Sequence, residues 1–338
     1  MYDEWRKLMN KLEQYKQPYG LLPSPPDPRD FRYKVFAGAQ PLPPAFSRKD
    51  EMPPVRDQGP YGTCVGFATW AIKEWQERQQ NDTPQSGLSP RFIYQMAKQL
   101  DGVPGVPGTY PRVALKVVQD YGDCPEQVFP YNELKADRNL PKPDPCIIEA
   151  AKPYKVSAYA RLYSLEEVKR AIVEQGPVLL AVIVTDSFVK AKDFIPQPSN
   201  DVYGGHAIVA CGYDDNVKLG PYTGGVLMMN SWGTSWAQKG FCWIPYQAWN
   251  WRIDSDTPFI VEAWACVDLP FTPKMAKHIL LKIGNKTAFV DGEYVQLDVP
   301  PKIENDRTLL PVRFVAEQAG YIVNWQPTNR IVELRRPW

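Results

Sequence analysis

The chain has 338 residues, of which 44% are hydrophobic, and it carries 39 basic and 38 acidic side chains for a net charge of +1. This length and composition suit a globular protein with one large domain and a small one, or with two medium ones. The balanced charge argues against nucleic acid or an anionic membrane as a partner. The sequence contains no run of 18 apolar residues, so no transmembrane helix is predicted. The charged N-terminus is unlike a signal peptide.

Cysteine and histidine usage argues against a metal centre and against a disulfide-dense scaffold. The six cysteines form no CxxC pair, and the only histidines are His206 and His278. The usual zinc-ligand spacings are therefore absent, and we expect no metal and no cofactor. A disulfide between Cys124 and Cys146 is one possible pairing.

The first half of the chain is predicted to be helical after an extended start. Residues 3–16 have apolar residues at helical spacing, and the proline-rich residues 18–54 predict an extended arm that wraps the body. Loops are predicted over 81–89, 101–108 and 123–150. Ser89 followed by Pro90 is typical of a helix start. The predicted helices cover residues 64–80, 90–100 and 111–120.

The second half is predicted to be rich in strands, which gives an α+β body with a helical half and an antiparallel β half. One helix is expected over 165–174, and a turn at Gly212-Tyr213-Asp214-Asp215 should end the second buried strand. The predicted strands cover residues 154–156, 178–184, 206–211, 225–229 and 240–244.

A small α+β module is predicted beyond a proline-bearing linker. Its Asp291-Gly292 turn is a strong hairpin signal. Strands are expected over 279–283, 287–290 and 293–297, followed by a helix over 310–318 and a hairpin over 321–334. The predicted domains are an N-terminal helix and arm (1–44), the body (45–268), the linker (269–275) and the module (276–338).

Cys64 is the candidate nucleophile, because it stands at the start of a predicted helix. The unpaired N–H groups and the dipole of that helix end stabilise a thiolate. Gln58 precedes it by six residues across glycine-bearing turns. A buried structural cysteine is the alternative interpretation of Cys64 taken alone.

The rest of the chain supplies partners for such a thiol. His206 is the only histidine in the body and is therefore the candidate base, because His278 lies beyond the linker. Asn230 could fix the histidine tautomer, and Trp232 could shield that bond from water. The Gln58 side chain and the Cys64 backbone N–H could form an oxyanion hole.

These residues resemble the motifs of papain-family cysteine proteases over residues 45–268. The resemblance implies the papain-like fold of two subdomains with the active site between them. It also implies that Cys64 attacks as a thiolate, with the roles given above for His206, Asn230, Gln58 and Trp232. The matching stretches are Gln58-Gly59, Gly62-Thr63-Cys64, Leu88-Ser89-Pro90, Tyr110-Pro111, Ala114-Leu115, Gly205-His206-Ala207, Gly212-Tyr213, Asn230 to Trp236 and Gly240-Phe241.

The resemblance further implies a substrate-binding set and shows departures. The family's glycine pair, which bonds the substrate backbone, is here Gly108-Thr109. The pocket for the second residue before the cut would be walled by Tyr110, Pro111, Ala181 and Ala207, with Gly205 beside it. Val65 replaces the family's tryptophan, Tyr61 replaces a disulfide-bonded cysteine, and a long inhibitory propeptide is missing.

The C-terminal module is similar to the domain named for the N-terminal region of copper amine oxidases. The similarity rests on residues 306–316, Gly320-Tyr321 and Asn324-Trp325. One histidine and no cysteine cannot build a copper site. Such modules accompany bacterial surface and secreted proteins. We therefore expect attachment to a cell wall or surface partner through 276–338, with a passive stabilising lid as the alternative.

The function predicted from the sequence is a bacterial cysteine endopeptidase that acts on a protein or peptide substrate. A transpeptidase or ligase would use the same thioester with an amine as acceptor. A catalytically silent binding protein would keep the protease scaffold without the reaction. A further alternative is a surface-attachment protein, in which the C-terminal module (276–338) would carry the function.

Overall fold

The computed structural model describes residues 2–12, 20–28, 30–33, 41–80, 83–199, 201–267, 279–290, 293–305, 307–318, 322–326 and 331–335. The chain divides into two compact units, residues 1–268 and 269–338. The helices of the first unit are α1 Tyr2–Leu12, α2 Cys64–Gln80, α3 Pro90–Lys98, α4 Pro111–Asp120, α5 Pro145–Ala151, α6 Leu165–Glu174 and α7 Asp186–Val189. Its strands are β1 Ala45–Ser47, β2 Ala158–Leu162, β3 Val178–Thr185, β4 Val202–Leu219, β5 Tyr222–Met229, β6 Phe241–Pro245 and β7 Ile260–Val267.

The seven strands form one antiparallel sheet in the order β2-β7-β3-β4-β5-β6, with β1 added against β4. Every residue of β3 is buried, because apolar clusters cover both faces of the sheet. One of these clusters joins the sheet to α2, and its largest fully buried side chain is Trp264. The predicted α+β body, with a helical half and an antiparallel half, is confirmed.

Helix α2 is buried from Cys64 to Glu77 although it carries several charges. Lys73 and Glu77 form an ion pair, and Lys73 also donates to the backbone oxygen of Lys155 at 2.8 Å. The Glu74 carboxylate accepts from Trp70 Nε1 at 2.8 Å and from Leu88 N at 2.9 Å. Buried charges are tolerated when they are paired and hydrogen-bonded. The helix can therefore cross the core with its first residue between the two halves.

Several predicted elements are confirmed, and others are wrong. Helix α3 begins as predicted, with Ser89 Oγ accepting from Phe92 N at 3.2 Å. The strand predicted at 154–156 lies instead at Ala158–Leu162, and α5 occupies part of a predicted loop. Strand β4 continues through the predicted turn to Leu219, because Asp214 pairs with Gly225 of β5 and Lys218 pairs with Thr223.

Some features escaped the sequence. Strand β7 was not predicted, since its alanines and Glu262 are weak strand formers. The possible Cys124–Cys146 disulfide is wrong: Cys124 is buried, Cys146 is exposed, and both are free thiols. Helix α1 is described over Tyr2–Leu12, and the predicted helical residues 13–16 lie outside the described residues.

The described residues of the second unit form short strands and one helix. Strands β8 Ile279–Leu281, β9 Thr287–Val290 and β10 Glu293–Gln296 form an antiparallel sheet. Hairpins join β11 Lys302–Glu304 to β12 Arg307–Leu309 and β13 Ile322–Gln326 to β14 Ile331–Arg335. Helix α8 Val312–Gln318 lies between them in sequence. His278 lies outside the described residues. None of the described helices of either unit is long and apolar enough to cross a membrane.

Asp123 is a buried carboxyl whose two oxygens accept no well-formed hydrogen bond within the described part of the chain. Burial raises the pKa of this carboxyl well above its ordinary 3.8, and the nearby Glu74 and Glu126 act in the same direction. The unfolded chain therefore releases the proton at lower pH than the folded chain, and stability falls as the pH rises above about 4.

Asp123→Asn is expected to increase the free energy of unfolding at pH 8 relative to the parent chain. The gain should shrink as the pH approaches 4, by about 1.4 kcal/mol per pH unit between the unfolded and folded pKa values. Urea unfolding at pH 4 and pH 8 measures it. Asp120→Asn, which removes a partly exposed carboxylate, is the control. An Asp123→Asn effect that does not change with pH would contradict the raised pKa.

Candidate active site

Cys64 is the first residue of α2 and is fully buried. The backbone N–H groups of Ala207, Val65 and Cys64 itself act to lower the pKa of its thiol, although burial outweighs them. Two of these donors belong to the first turn of the helix, as expected for a thiol at a helix N-terminus. The third belongs to β4 and directly follows His206. The thiol therefore lies where the helical half meets the sheet.

His206 is held by Asn230 and Trp232. Its Nε2 lies 2.7 Å from Asn230 Oδ1, which also accepts from the backbone N–H of Ser231 at 2.8 Å. Because a backbone N–H can only donate, the Asn230 atom that faces it is the oxygen, and Nε2 must carry a hydrogen. The Trp232 ring stacks on the imidazole at 4.7 Å between centroids and 29° between planes. This arrangement leaves Nδ1 as the basic nitrogen of the neutral ring.

Gln58 is fixed from several sides. Its Oε1 accepts from Ser231 Oγ at 2.7 Å, its Nε2 donates to the backbone oxygen of Tyr61 at 2.8 Å, and its N–H donates to Ser231 O at 2.9 Å. The Tyr131 hydroxyl donates to the backbone oxygen of Gln58 at 2.6 Å and lies 2.7 Å from Thr63 Oγ1. The amide orientation of Gln58 is therefore set by Ser231, the residue that also bonds Asn230.

The N-terminal arm, which we define as described residues 20–28 and 30–33, lies between the two halves beside Cys64. Leu21 N donates to Gly205 O at 3.1 Å, and Leu22 N donates to Thr109 O at 3.0 Å. Thr109 N in turn donates to Gly20 O at 3.0 Å. Leu21 is buried in the same cluster as Cys64 and Ala207. The predicted wrapping of the body by this arm is confirmed for these residues, and the arm enters the cleft itself.

The arm fits because of Gly20. A Cβ on this residue would lie 2.2 Å from the backbone oxygen of Gly62, and its φ of +83° belongs to the left-handed region. Gly62 stands two residues before Cys64, so the arm passes directly over the turn that presents the thiol. The Gly20 backbone is also in close contact with Gly108, where a Cβ would lie 2.5 Å from Gly20 O.

The arm is anchored on both halves of the body. The Asp30 carboxylate lies 2.6 Å from an Arg112 nitrogen on α4 and 3.7 Å from an Arg161 nitrogen on β2. Ser24 N donates at 2.8 Å to the buried carboxylate of Glu262 on β7. Further along, the arm pairs with β2 at the edge of the sheet, through Arg161 N to Phe31 O at 2.8 Å and Tyr33 N to Arg161 O at 3.1 Å. These contacts join the helical half to the sheet half.

The predicted substrate-binding residues fall into three places. Gly108, Thr109 and Gly205 border the arm. Ala181 and Ala207 are register partners on β3 and β4, and both lie in the buried cluster that holds Leu21. Tyr110 and Pro111 form the start of α4. The sequence missed the arm in the cleft, and it missed Ser231, although Ser231 is adjacent to Asn230. It also missed Glu262, for which it offers no signal.

The covered site has a protonated thiol. Burial raises the pKa of the Cys64 thiol to about 12, while the backbone N–H groups that face it act in the opposite direction. Burial wins because desolvation penalises the thiolate more than these donors stabilise it. A thiolate at neutral pH therefore requires that water or a substrate reach the Cys64 thiol.

The comparison with family models decides the assignment. The model of papain family cysteine proteases matches residues 42–257, which is more than half of the chain and includes Gln58, Cys64, His206 and Asn230. The chain belongs to the papain family. The model of the copper amine oxidase N-terminal domain matches residues 271–334.

Relatives of this papain-family chain include viral and bacterial proteins. It is 28% identical over 211 residues to an uncharacterized peptidase C1-like protein of Acanthamoeba polyphaga mimivirus, across 56% of this chain and 64% of that relative's length. Xylellain, a cysteine protease from Xylella fastidiosa, superposes with a TM-score of 0.63 at 27% identity, across 75% of this chain and 97% of xylellain.

The cysteine protease and lectin-like domains of a surface layer associated protein of Clostridium difficile also superpose. The TM-score is 0.59 at 20% identity, across 78% of this chain and 58% of that chain. This likeness concerns the fold alone.

Proposed function

We propose that this papain-family chain is a cysteine endopeptidase that hydrolyses peptide bonds through a thioester on Cys64. The observation that carries the proposal is the hydrogen bond of 2.7 Å between His206 Nε2 and Asn230 Oδ1. It fixes the imidazole in the tautomer whose Nδ1 takes a proton, next to the residue whose N–H contacts the Cys64 thiol. A structural cysteine and a structural histidine would not need this arrangement.

The first half of the reaction forms the thioester. His206 Nδ1 takes the thiol proton, and Cys64 Sγ attacks the carbonyl carbon of the scissile bond. The developing oxyanion accepts from the Cys64 backbone N–H and from Gln58 Nε2, whose orientation Ser231 sets. As the C–N bond breaks, His206 gives its proton to the leaving amine, which departs with a free N-terminus.

The second half releases the other product. Water attacks the thioester carbon while His206 takes one of its protons, and the C–S bond then breaks. The sulfur regains the proton from His206, and the product leaves as a carboxylic acid. Throughout, Asn230 holds the imidazole, and the stacked Trp232 ring covers the bond between them. The peptide backbone pairs with Thr109 and Gly205, the groups that hold the arm.

Labelling with a peptide epoxide, followed by peptide mapping, tests this function. One adduct is expected, on Cys64, in the parent chain and more rapidly in Gly20→Ala, in which the arm no longer fits. It should be lost in Cys64→Ser and in His206→Ala. Cys146 is exposed and serves as the internal control for unspecific alkylation. Adducts spread over several cysteines, or none on Cys64 in either chain, would refute the proposal.

A partner at a cell wall or surface is proposed for the C-terminal module. Large apolar side chains on it are exposed, among them Tyr294 at 80% and Ile303 at 61%, and such side chains favour interaction surfaces. Deleting residues 275–338 should remove surface attachment and leave peptide hydrolysis intact. Loss of hydrolysis instead would show that the peptidase needs the module.

Transfer of the acyl group from the Cys64 thioester to an added amine, in place of water, would favour a ligase.

A further inference from the structure

Lys98 is a fully buried lysine at the end of α3, beside the cleft. Its ammonium donates to Asp101 Oδ2 at 2.7 Å and to the backbone oxygens of Val103 and Val106 at 2.8 Å each. It also donates to Gly108 O at 3.0 Å. The loop 101–108 therefore folds around the buried ammonium of Lys98. Gly108, the last residue of the loop that this ammonium contacts, directly precedes Thr109.

Tyr94 stands one turn earlier on the same helix and bonds the other side of Gly108. Its hydroxyl accepts from Gly108 N at 2.9 Å and donates to Asp137 O at 2.6 Å. The Asp137 carboxylate accepts from Gly62 N at 2.9 Å. A chain of buried hydrogen bonds thus joins the wall of the cleft at Gly108 to the turn that presents Cys64.

Helix α3 lies close enough to α2 for this only because residue 66 is glycine. A Cβ on Gly66 would lie 2.9 Å from the Cβ of Tyr94 and 2.9 Å from the backbone oxygen of Pro90. The close packing places Tyr94 against the helix that begins with Cys64. The positions of the thiol and of Gly108 therefore depend on the same helix contact.

These contacts decide which backbone groups face the cleft. The N–H and C=O of Gly108 are both taken by side chains of α3, so they point into the protein. The N–H and C=O of Thr109 are the next in line, and they are the groups that pair with Gly20 and Leu22 of the arm. A shift of one residue would turn the pairing groups away from the cleft.

We propose that Tyr94 and Lys98 are positioning residues that fix the pairing register of Thr109 for the peptide backbone in the cleft. They touch neither the thiol nor the imidazole, so they act on peptide binding and not on the chemical steps. For substrates the inference rests on the proposed peptidase function; for the arm it depends on the fold alone. The pairing of Thr109 is therefore measured with the arm and with a peptide substrate, so that a failure of this inference can be told from a failure of the proposed peptidase function.

Tyr94→Phe, which removes one hydroxyl, is the test, and Tyr213→Phe is the matched control. Tyr213 is equally buried, and its hydroxyl donates to the backbone oxygen of Pro43 at 2.8 Å, in the sheet half. Amide hydrogen exchange in the full chain should accelerate about tenfold at Thr109 and Leu22 in Tyr94→Phe, the factor that corresponds to about 1.4 kcal/mol. Tyr213→Phe should leave both amides unchanged. Equal acceleration in the two variants, or none in Tyr94→Phe, overturns the proposal.

Kinetics supply the second readout. With Gly20→Ala in both chains, Tyr94→Phe should raise KM for a peptide about tenfold at unchanged kcat, the pattern of a loss in uniform binding. An equal loss in kcat, or an unchanged KM, contradicts the positioning role. If no chain hydrolyses peptides, the proposed function fails and hydrogen exchange alone decides the inference. If Tyr94→Phe does not fold, Lys98→Met with Asp101→Asn, which removes both buried charges, is held to the same readouts.

Discussion

Gly20→Ala is expected to raise the rate at which peptide electrophiles label Cys64 about a hundredfold. The new methyl group would lie 2.2 Å from Gly62 O, so the arm has to leave the cleft. Its departure breaks three backbone hydrogen bonds, which join Leu21 to Gly205 and Thr109 to Gly20 and Leu22. At about 1 kcal/mol each, and with tenfold for every 1.4 kcal/mol, their loss accounts for the factor. The rate of Cys64 labelling is measured by quenching the reaction at intervals and analysing the protein by mass spectrometry.

Gly284→Ala is the matched control for Gly20→Ala. Gly284 also has a left-handed backbone, with a φ of +74°, but a Cβ there meets no atom within 4 Å. The two variants therefore share the conformational penalty of alanine and differ in the steric overlap. Faster labelling in both variants, or in neither, would mean that the arm does not govern access to Cys64.

The pH dependence of alkylation should change in the same experiment. In the parent chain, burial raises the pKa of the Cys64 thiol to about 12, so alkylation by iodoacetamide should increase with pH up to that value. In Gly20→Ala, water reaches the thiol and favours the thiolate, so the half-maximal rate should fall to lower pH. A profile that stays with that of the parent would show that other residues bury the thiol.

His206→Ala is expected to lower kcat for peptide hydrolysis by at least about 10⁴-fold, measured with Gly20→Ala in both chains. The variant loses both the base that takes the thiol proton and the acid that protonates the leaving amine, and each is worth about 10² to 10⁴. The bell-shaped pH profile of the coupled thiol and imidazole should disappear with it.

His278→Ala is the control for His206→Ala, because it removes the only other histidine of the chain. It should keep both kcat and the bell-shaped profile. Comparable losses in the two variants, or activity in His206→Ala within tenfold of its parent, would assign the proton transfers to another group.

The sequence predicts the candidate site better than it predicts the sheet. Gln58, Cys64 and Asn230 each stand at a turn or at the end of an element, and turn and helix-end chemistry is visible in a few consecutive residues, whereas His206 lies inside β4. Strand β7 was missed because its alanines and Glu262 are weak strand formers, and only pairing with β2 and β3, over long sequence separations, makes it a strand. The Asp214-Asp215 pair is typical of a turn in isolation, but cross-strand pairing of β4 with β5 overrides it.

The burial of individual polar side chains also could not be predicted from sequence patterns. Lys98 follows apolar positions on α3, and a lysine at a helix end is usually solvated. Its burial depends on the backbone oxygens of a loop whose path only the folded chain defines. The role of Gly20 could not be predicted from the sequence either, because no neighbouring residue indicates that Gly62 packs against it.

The arm also sets an order of events during synthesis. It is made before the body, but Ser24 meets Glu262 only 238 residues later, which is about 10 to 50 s at about 5 to 20 residues per second. Of the groups that hold residues 20–22, Gly205 is the last to be translated, immediately before His206. The backbone partners of residues 20–22 are therefore all translated before His206, the proposed base, so the groups that hold the arm are in the chain before the group that would take the thiol proton.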